Sequence, residues 1–191
     1  MARRIAVLVG SLRKGSFNGK VARAIEEVWP APATFDNVPI DDVGFYSQDL
    51  DTDAPPPSWE ALRQRIRAAD AVLFVTPEYN RSMPGVLKNA IDIASRPYGR
   101  NAFAGKPAAV VSASIGAIGG FGANHHLRQV LHFLDMPALQ QPEMYLGGVG
   151  DWFDADGRLI QDDKRAYLAT FAKAFAAWIA TYQSGGSYPA I

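Results

Sequence analysis

Two hydrophobic rhythms alternate along this chain. Three short runs, Ile5 to Val9, Ala71 to Val75 and Ala108 to Ser112, are almost continuously apolar. Two weaker ones, Ala33 to Phe35 and Glu143 to Leu146, have the same length scale. Between these runs, apolar residues recur every three or four positions. The sets are Val21, Ala22, Ile25 and Val28; Trp59, Leu62, Ile66 and Ala69; Leu87, Ala90, Ile91 and Ala94; Leu127, Val130, Leu131 and Leu134; and Leu168, Phe171, Phe175, Trp178, Ile179 and Tyr182. Continuous runs predict strands buried on both faces, as in parallel sheets. The three-to-four spacing predicts amphipathic helices.

Turn residues set the boundaries. The first helix is predicted over Gly19 to Val28, stopped by Trp29-Pro30-Ala31-Pro32. Ser58 is expected to cap the second helix, and Ser82 the third, with Pro84 near its first turn. Asp36 to Pro57 reads as a long loop marked by Asp51, Asp53, Pro55, Pro56 and Pro57. The tail Ser184-Gly185-Gly186-Ser187 is expected to fray. With no repeat and no linker, residues 1–191 are expected to form one domain. Strands alternating with helices imply an α/β, doubly wound parallel sheet with helices on both faces. Its expected strand order is 2-1-3-4-5, with a switch point between strands 1 and 3. The loops after strands 1, 3 and 4 then meet at the carboxyl edge, and these are the loops richest in Gly, Ser, Pro and Asn.

Composition narrows the function classes. A chain of 191 residues, 48% hydrophobic and 20% charged, is long enough for a sizeable core. Nineteen basic residues balance nineteen acidic ones, which gives no footprint for nucleic acid or for a basic membrane-binding surface. No cysteine is present, so thiol catalysis and cysteine-ligated metal are excluded. The first apolar run is too short for a signal or a membrane span, and a cytoplasmic location is expected.

The segment Gly10-Ser11-Leu12-Arg13-Lys14-Gly15-Ser16-Phe17-Asn18 lies where a strand should pass into a helix. Helix-start N–H groups and the helix dipole favour an anion there, and hydroxyls plus the forked Arg13 suit phosphate oxygens. The nucleotide-hydrolase loop is absent, because Ser16 and Phe17 stand where its Lys and hydroxyl belong. The dinucleotide fingerprint fails too, with Leu12 at its second glycine. A single terminal phosphate, as on flavin mononucleotide, remains. Ordinary turn and cap chemistry also accounts for the same residues.

Gly10-Ser11-x-Arg13-x-x-Ser16-x-Asn18, together with Pro77-Glu78-Tyr79-Asn80-x-Ser82-x-Pro84-Gly85-x-Leu87-Lys88-Asn89-Ala90-Ile91-Asp92, resembles the NADPH-dependent FMN reductase family. These are flavodoxin-like enzymes that include quinone, chromate and azo-dye reductases. Phe103-x-Gly105-Lys106-Pro107 and the Gly-rich loop before Leu127-Arg128 are similar to that family too, so the likeness covers roughly residues 3–180. It implies that Ser11, Arg13, Ser16, Phe17 and Asn18 cradle the FMN phosphate. Pro77, Glu78, Tyr79 and Asn80 then line the flavin ring, and Ser114, Gly116, Gly119 and Gly120 close its far side. It implies NADPH or NADH as hydride donor to flavin N5, then two-electron transfer to a quinone, chromate, azo compound or free flavin, with ping-pong kinetics. No side chain is assigned as catalytic. A homodimer or homotetramer is expected, with Tyr98, Phe103 and Phe121 as exposed aromatics for the interface.

Other readings stand beside these. A flavodoxin-type electron carrier would share fold and ligand, but such carriers are usually strongly acidic and this chain is neutral. A non-catalytic FMN-binding module is the third. Glu78 suits a helix N-terminus, and Lys88 and Asp92 form an i,i+4 pair on a solvated face. Lys14 is either a solvated loop charge or an addition to the potential near the phosphate. His125, His126 and His132 lack helical zinc spacing and read as exposed or interface residues. Asp151, Asp154 and Asp156 read as a turn rather than a calcium loop.

Overall fold

A computed structural model of the chain describes residues 2–183. The elements run β1 (Arg3–Val9), α1 (Phe17–Glu27), β2 (Ala33–Asn37), α2 (Pro57–Arg67), β3 (Ala71–Thr76), α3 (Gly85–Ala94), β4 (Ala108–Ala113), α4 (Phe121–Phe133), β5 (Met144–Leu146) and α5 (Asp162–Gln183). The sheet has the order β2-β1-β3-β4-β5 with every pair parallel. Ile5 is in register with Phe35 on one side and Ala71 on the other, and Phe74 with Val110. The expected fold class and order are therefore those of the molecule.

Side-chain alternation along the strands divides the core into two layers. Ala6, Leu8, Val72, Phe74 and Val110 face α2, α3 and α4, where they meet Trp59, Leu62, Ile66, Leu87, Ile91, Leu127 and Leu131. Ile5, Val7, Leu73, Val75 and Val111 face α1 and α5, where they meet Val21, Ile25, Leu168, Phe171 and Phe175. Every residue of β3 and β4 is buried, which is why these strands read as unbroken apolar runs.

Several local expectations are corrected. Helix α1 starts two residues early, because Ser16 caps it by accepting from the Gly19 N–H at 3.4 Å. Ser58 caps nothing: α2 starts at Pro57, whose missing N–H is harmless in a first turn, with Pro56 as cap residue. Ser82 does not cap α3 either, since Pro84 holds that position and no side chain bonds there. Phe103 is fully buried against Phe74, with ring centroids 6.1 Å apart, so it is core and not interface. Strand β2 runs on to Asn37. Trp178 is only partly buried on the α5 stripe, and its indole N–H donates to the Pro137 carbonyl at 2.8 Å. The expected fraying of Ser184 to Ser187 lies outside the described residues.

The segment after β2 has more order than its sequence suggests. Val38, Ile40 and Val43 are buried in the α2–α3 layer. Trp59 stacks on Tyr46 and donates from Nε1 to the Val43 carbonyl at 2.6 Å. Asn89 of α3 accepts from the Tyr46 N–H at 2.9 Å and donates to the Gly44 carbonyl at 2.6 Å. Arg63 of α2 donates to Asp51 at 2.7 Å, with both side chains at most 3% exposed, and also to the Ile93 carbonyl. Losing one partner of such a buried pair costs about 3–5 kcal/mol.

Candidate active site

The first loop is built on the start of α1. Ser16 is buried, and the first turn leaves the N–H groups of Phe17 and Asn18 without an intrahelical acceptor. Arg13 lies 5.3 Å and Lys20 5.4 Å from the Phe17 ring centroid. Arg13, Lys14, Lys20 and Arg23 enter no ion pair among the described residues, whereas most other cations do. Asn18 is 4% exposed and donates from Nδ2 to the Ala113 carbonyl at 3.2 Å, which ties this loop to the end of β4. Its Oδ1 is buried with no partner, at a cost of about 1–3 kcal/mol.

The second loop follows β3 and contains a tight reversal. Tyr79 and Ser82 exchange both backbone hydrogen bonds, at 2.9 and 3.0 Å. Asn80 and Arg81 between them both take positive φ, 50° and 66°. That is a two-residue turn of the I′ kind, which favours Asn and Gly. Glu78 is the half of the motif that sequence left open. Its Oε2 accepts from the Ala123 N–H at 3.1 Å, in the first turn of α4, and its Oε1 pairs with Arg81 at 3.0 Å. It thus serves the helix-start role weighed against ring lining.

The third loop runs from β4 into α4. The Ser114 hydroxyl accepts from the Gly116 N–H at 3.1 Å. At Gly119, φ is +64° and a Cβ would lie 2.5 Å from the Tyr145 backbone; at Gly120, φ is +78° and a Cβ would lie 2.9 Å from Ser112. Both glycines are needed to seat the loop on the sheet, a reason distinct from the approach of a flat ring.

The three loops converge. The Gly10 N–H donates to the Val75 carbonyl at 2.8 Å, and a Cβ on Gly10 would lie 2.9 Å from Thr76 Oγ1. Asn18 bridges the first loop to β4, and Glu78 bridges the second to α4. The expected site residues Ser11, Arg13, Ser16, Phe17 and Asn18, then Pro77 to Asn80, then Ser114 to Gly120, therefore occupy three adjoining loops at the carboxyl edge of β1, β3 and β4.

A family model described as NADPH-dependent FMN reductase matches residues 3–151. The chain belongs to that family. It is an oxidoreductase whose cofactors are FMN and NAD(P)H. It is 57% identical to a quinone reductase of Pseudomonas putida over 92% of this chain and 94% of that one. It is 49% identical to a 2-hydroxy-1,4-benzoquinone reductase of a Burkholderia species, over 94% and 97%. Among solved structures it resembles FerB, a flavoenzyme NAD(P)H:(acceptor) oxidoreductase from Paracoccus denitrificans, at 40% identity and a TM-score of 0.89, covering 95% of this chain and 99% of that one. A flavodoxin from Pseudomonas aeruginosa, at 22% identity and a TM-score of 0.57 over 91% and 99%, shares the fold.

The residues of this reductase fit the cofactor. The unpaired cations and open helix N–H groups suit its phosphate, and the orphaned Asn18 acceptor suits a hydroxylated ligand that brings donors. Sequence reasoning missed the ties that α4 makes to the second loop and to β5. Ser82 Oγ lies 2.7 Å from His126 Nδ1, and His125 Nε2 lies 2.8 Å from the Tyr145 hydroxyl. Burial, and then the Glu143 carboxylate, push the Tyr145 phenol up to about 12, so it stays neutral. His125, His126 and His132 are exposed, and no group of three or more metal-binding side chains exists among the described residues. Lys88 and Asp92 pair at 2.7 Å on an exposed face, and Asp154 accepts from the Arg158 N–H within a turn.

Proposed function

We propose that this reductase passes two electrons from NAD(P)H to a quinone-like acceptor, both reacting at one mouth on the carboxyl edge of the sheet. The observation that carries the reading is the makeup of that edge. A cationic cradle lies at the start of α1, and all three loops add exposed apolar side chains: Leu12, Tyr79, Ile115 and Ile118. Names of relatives that reduce quinones support the same acceptor class.

When bound, FMN supplies a two-electron carrier that accepts hydride from the nicotinamide and hands the electrons to the acceptor. The protein binds and orients. Ser11, Arg13, Ser16, Phe17 and Asn18 hold the phosphate. Pro77, Glu78, Tyr79 and Asn80 line one edge of the ring, largely through backbone groups, and Ser114, Gly116, Gly119 and Gly120 close the far side. No side chain is given a catalytic role. An apolar rim favours flat rings over a hydrated oxyanion, which would shed water there without compensation. Quinones therefore rank ahead of chromate on this ground, while azo compounds and free flavin, which are also flat, are not separated from quinones by it. A shared mouth requires the oxidised nicotinamide to leave before the acceptor enters, so the kinetics are ping-pong.

An anaerobic absorbance titration tests this reading. Bound flavin should bleach with NADPH or NADH and recover with benzoquinone, and double-reciprocal plots should be parallel. Intersecting plots would overturn the shared mouth. We further propose that residues 1–191 form one domain, acting in the cytoplasm as a homodimer or homotetramer. The exposed Tyr98 and Phe121 support the assembly. Sedimentation velocity at micromolar concentration checks it, and a monomer would reject it. No helix among the described residues is long and apolar enough to cross a membrane.

A further inference from the structure

We propose that His126 is a positioning residue: its contact with Ser82 fixes the Tyr79–Ser82 turn against α4 and so sets the gap between the second and third site loops. The inference rests on the flavin-site reading above. Helix α4 begins directly after the third loop, so its position and the position of that loop are linked. The second loop docks on the same helix at several points. Glu78 accepts from the Ala123 N–H. A Cβ on Gly122 would lie 3.0 Å from both the Arg81 carbonyl oxygen and Glu78 Oε2, so the turn sits against the first turn of the helix. Ser82 Oγ meets His126 Nδ1 at 2.7 Å. Residues 122, 123 and 126 share one face of α4, because positions three and four apart are neighbours on a helix.

The turn needs such ties. Asn80 and Arg81 are non-glycine residues held at positive φ, a conformation that persists only where the surroundings over-determine it. Glu78 fixes the entry to the turn, and Ser82 is its exit. Without the His126 contact, the Ser82 hydroxyl loses its tie to α4, and the hydrogen bonds left at the exit are the backbone pair with Tyr79. The ring edge then meets backbone groups that sample more than one position.

The test uses full-length protein reconstituted with FMN. Ser82→Ala, His126→Ala and the double variant are compared with His126→Asn, whose side-chain amide can stand near the place of Nδ1. Each alanine variant should weaken FMN binding about two- to tenfold, the range of one net hydrogen bond. Each should also shift the flavin absorption maxima and the midpoint potential in the same direction. The double variant should match either single one, because the two groups act as a pair. His126→Asn should restore the spectrum and the potential. Wild-type potential and affinity in both alanine variants would overturn the inference, as would additive losses. Failure of wild-type protein to bind FMN would instead reject the flavin-site reading itself.

Discussion

At the residue scale, the proposed contact of Arg13 with the FMN phosphate can be tested apart from the rest of the ligand. Arg13 lies on an exposed loop with no carboxylate partner among the described residues, so little else competes for its guanidinium. Arg13→Met should weaken FMN binding roughly tenfold or more, the range of a charge-assisted hydrogen bond. Riboflavin, which lacks the phosphate, should bind both proteins alike. Fluorescence quenching of each flavin measures the difference, and equal losses for both ligands would reject the assignment. Residue identity was enough to raise this proposal because the chemistry there is local. Arg13, Ser16 and Asn18 are two to five positions apart and lie in the loop and first turn that open α1. Glu78 was only half legible. Its partner, the Ala123 N–H, is 45 positions away, and such a bond leaves no trace in spacing.

At the scale of elements, strands and helices were legible wherever their burial is regular. The runs that became β3 and β4 are buried at every position, and the helix stripes match the two core layers. The segment between β2 and α2 was not legible, because its order comes from single distant bonds to Asn89 and Arg63 rather than from periodicity. Asp36 shows the same kind of tie with a measurable consequence. It sits on β2 and bonds both Arg65 of α2 and Arg4 of β1. Hydrogen bonding from Arg65, followed by Arg4, holds its carboxyl below the ordinary value of 3.8 despite partial burial. A folded value below the unfolded one means the ionised pair stabilises the fold above about pH 3.8. That stabilisation is lost as pH falls from there through the lower folded value. Urea unfolding between pH 5 and 2 should therefore show a steeper loss of stability for wild type than for Asp36→Asn, and parallel curves would contradict the assignment.

At the scale of the whole molecule, charge is balanced overall but not locally. Nineteen cations match nineteen anions, and ion pairs link β1, β2 and α2 on one flank of the sheet. Of the cations that enter no ion pair among the described residues, Arg13, Lys14 and Lys20 fall on the first loop and the first turn of α1, at the proposed cradle. Fields from such a set reach about 10 Å in 0.1 M salt and shrink as salt is added. The arrangement thus acts on encounter more than on holding. Raising ionic strength should slow FMN association several-fold in stopped-flow mixing, leave its dissociation rate nearly unchanged, and barely touch riboflavin. A protein with no net charge would then behave, toward one anionic ligand, as though it were a cation.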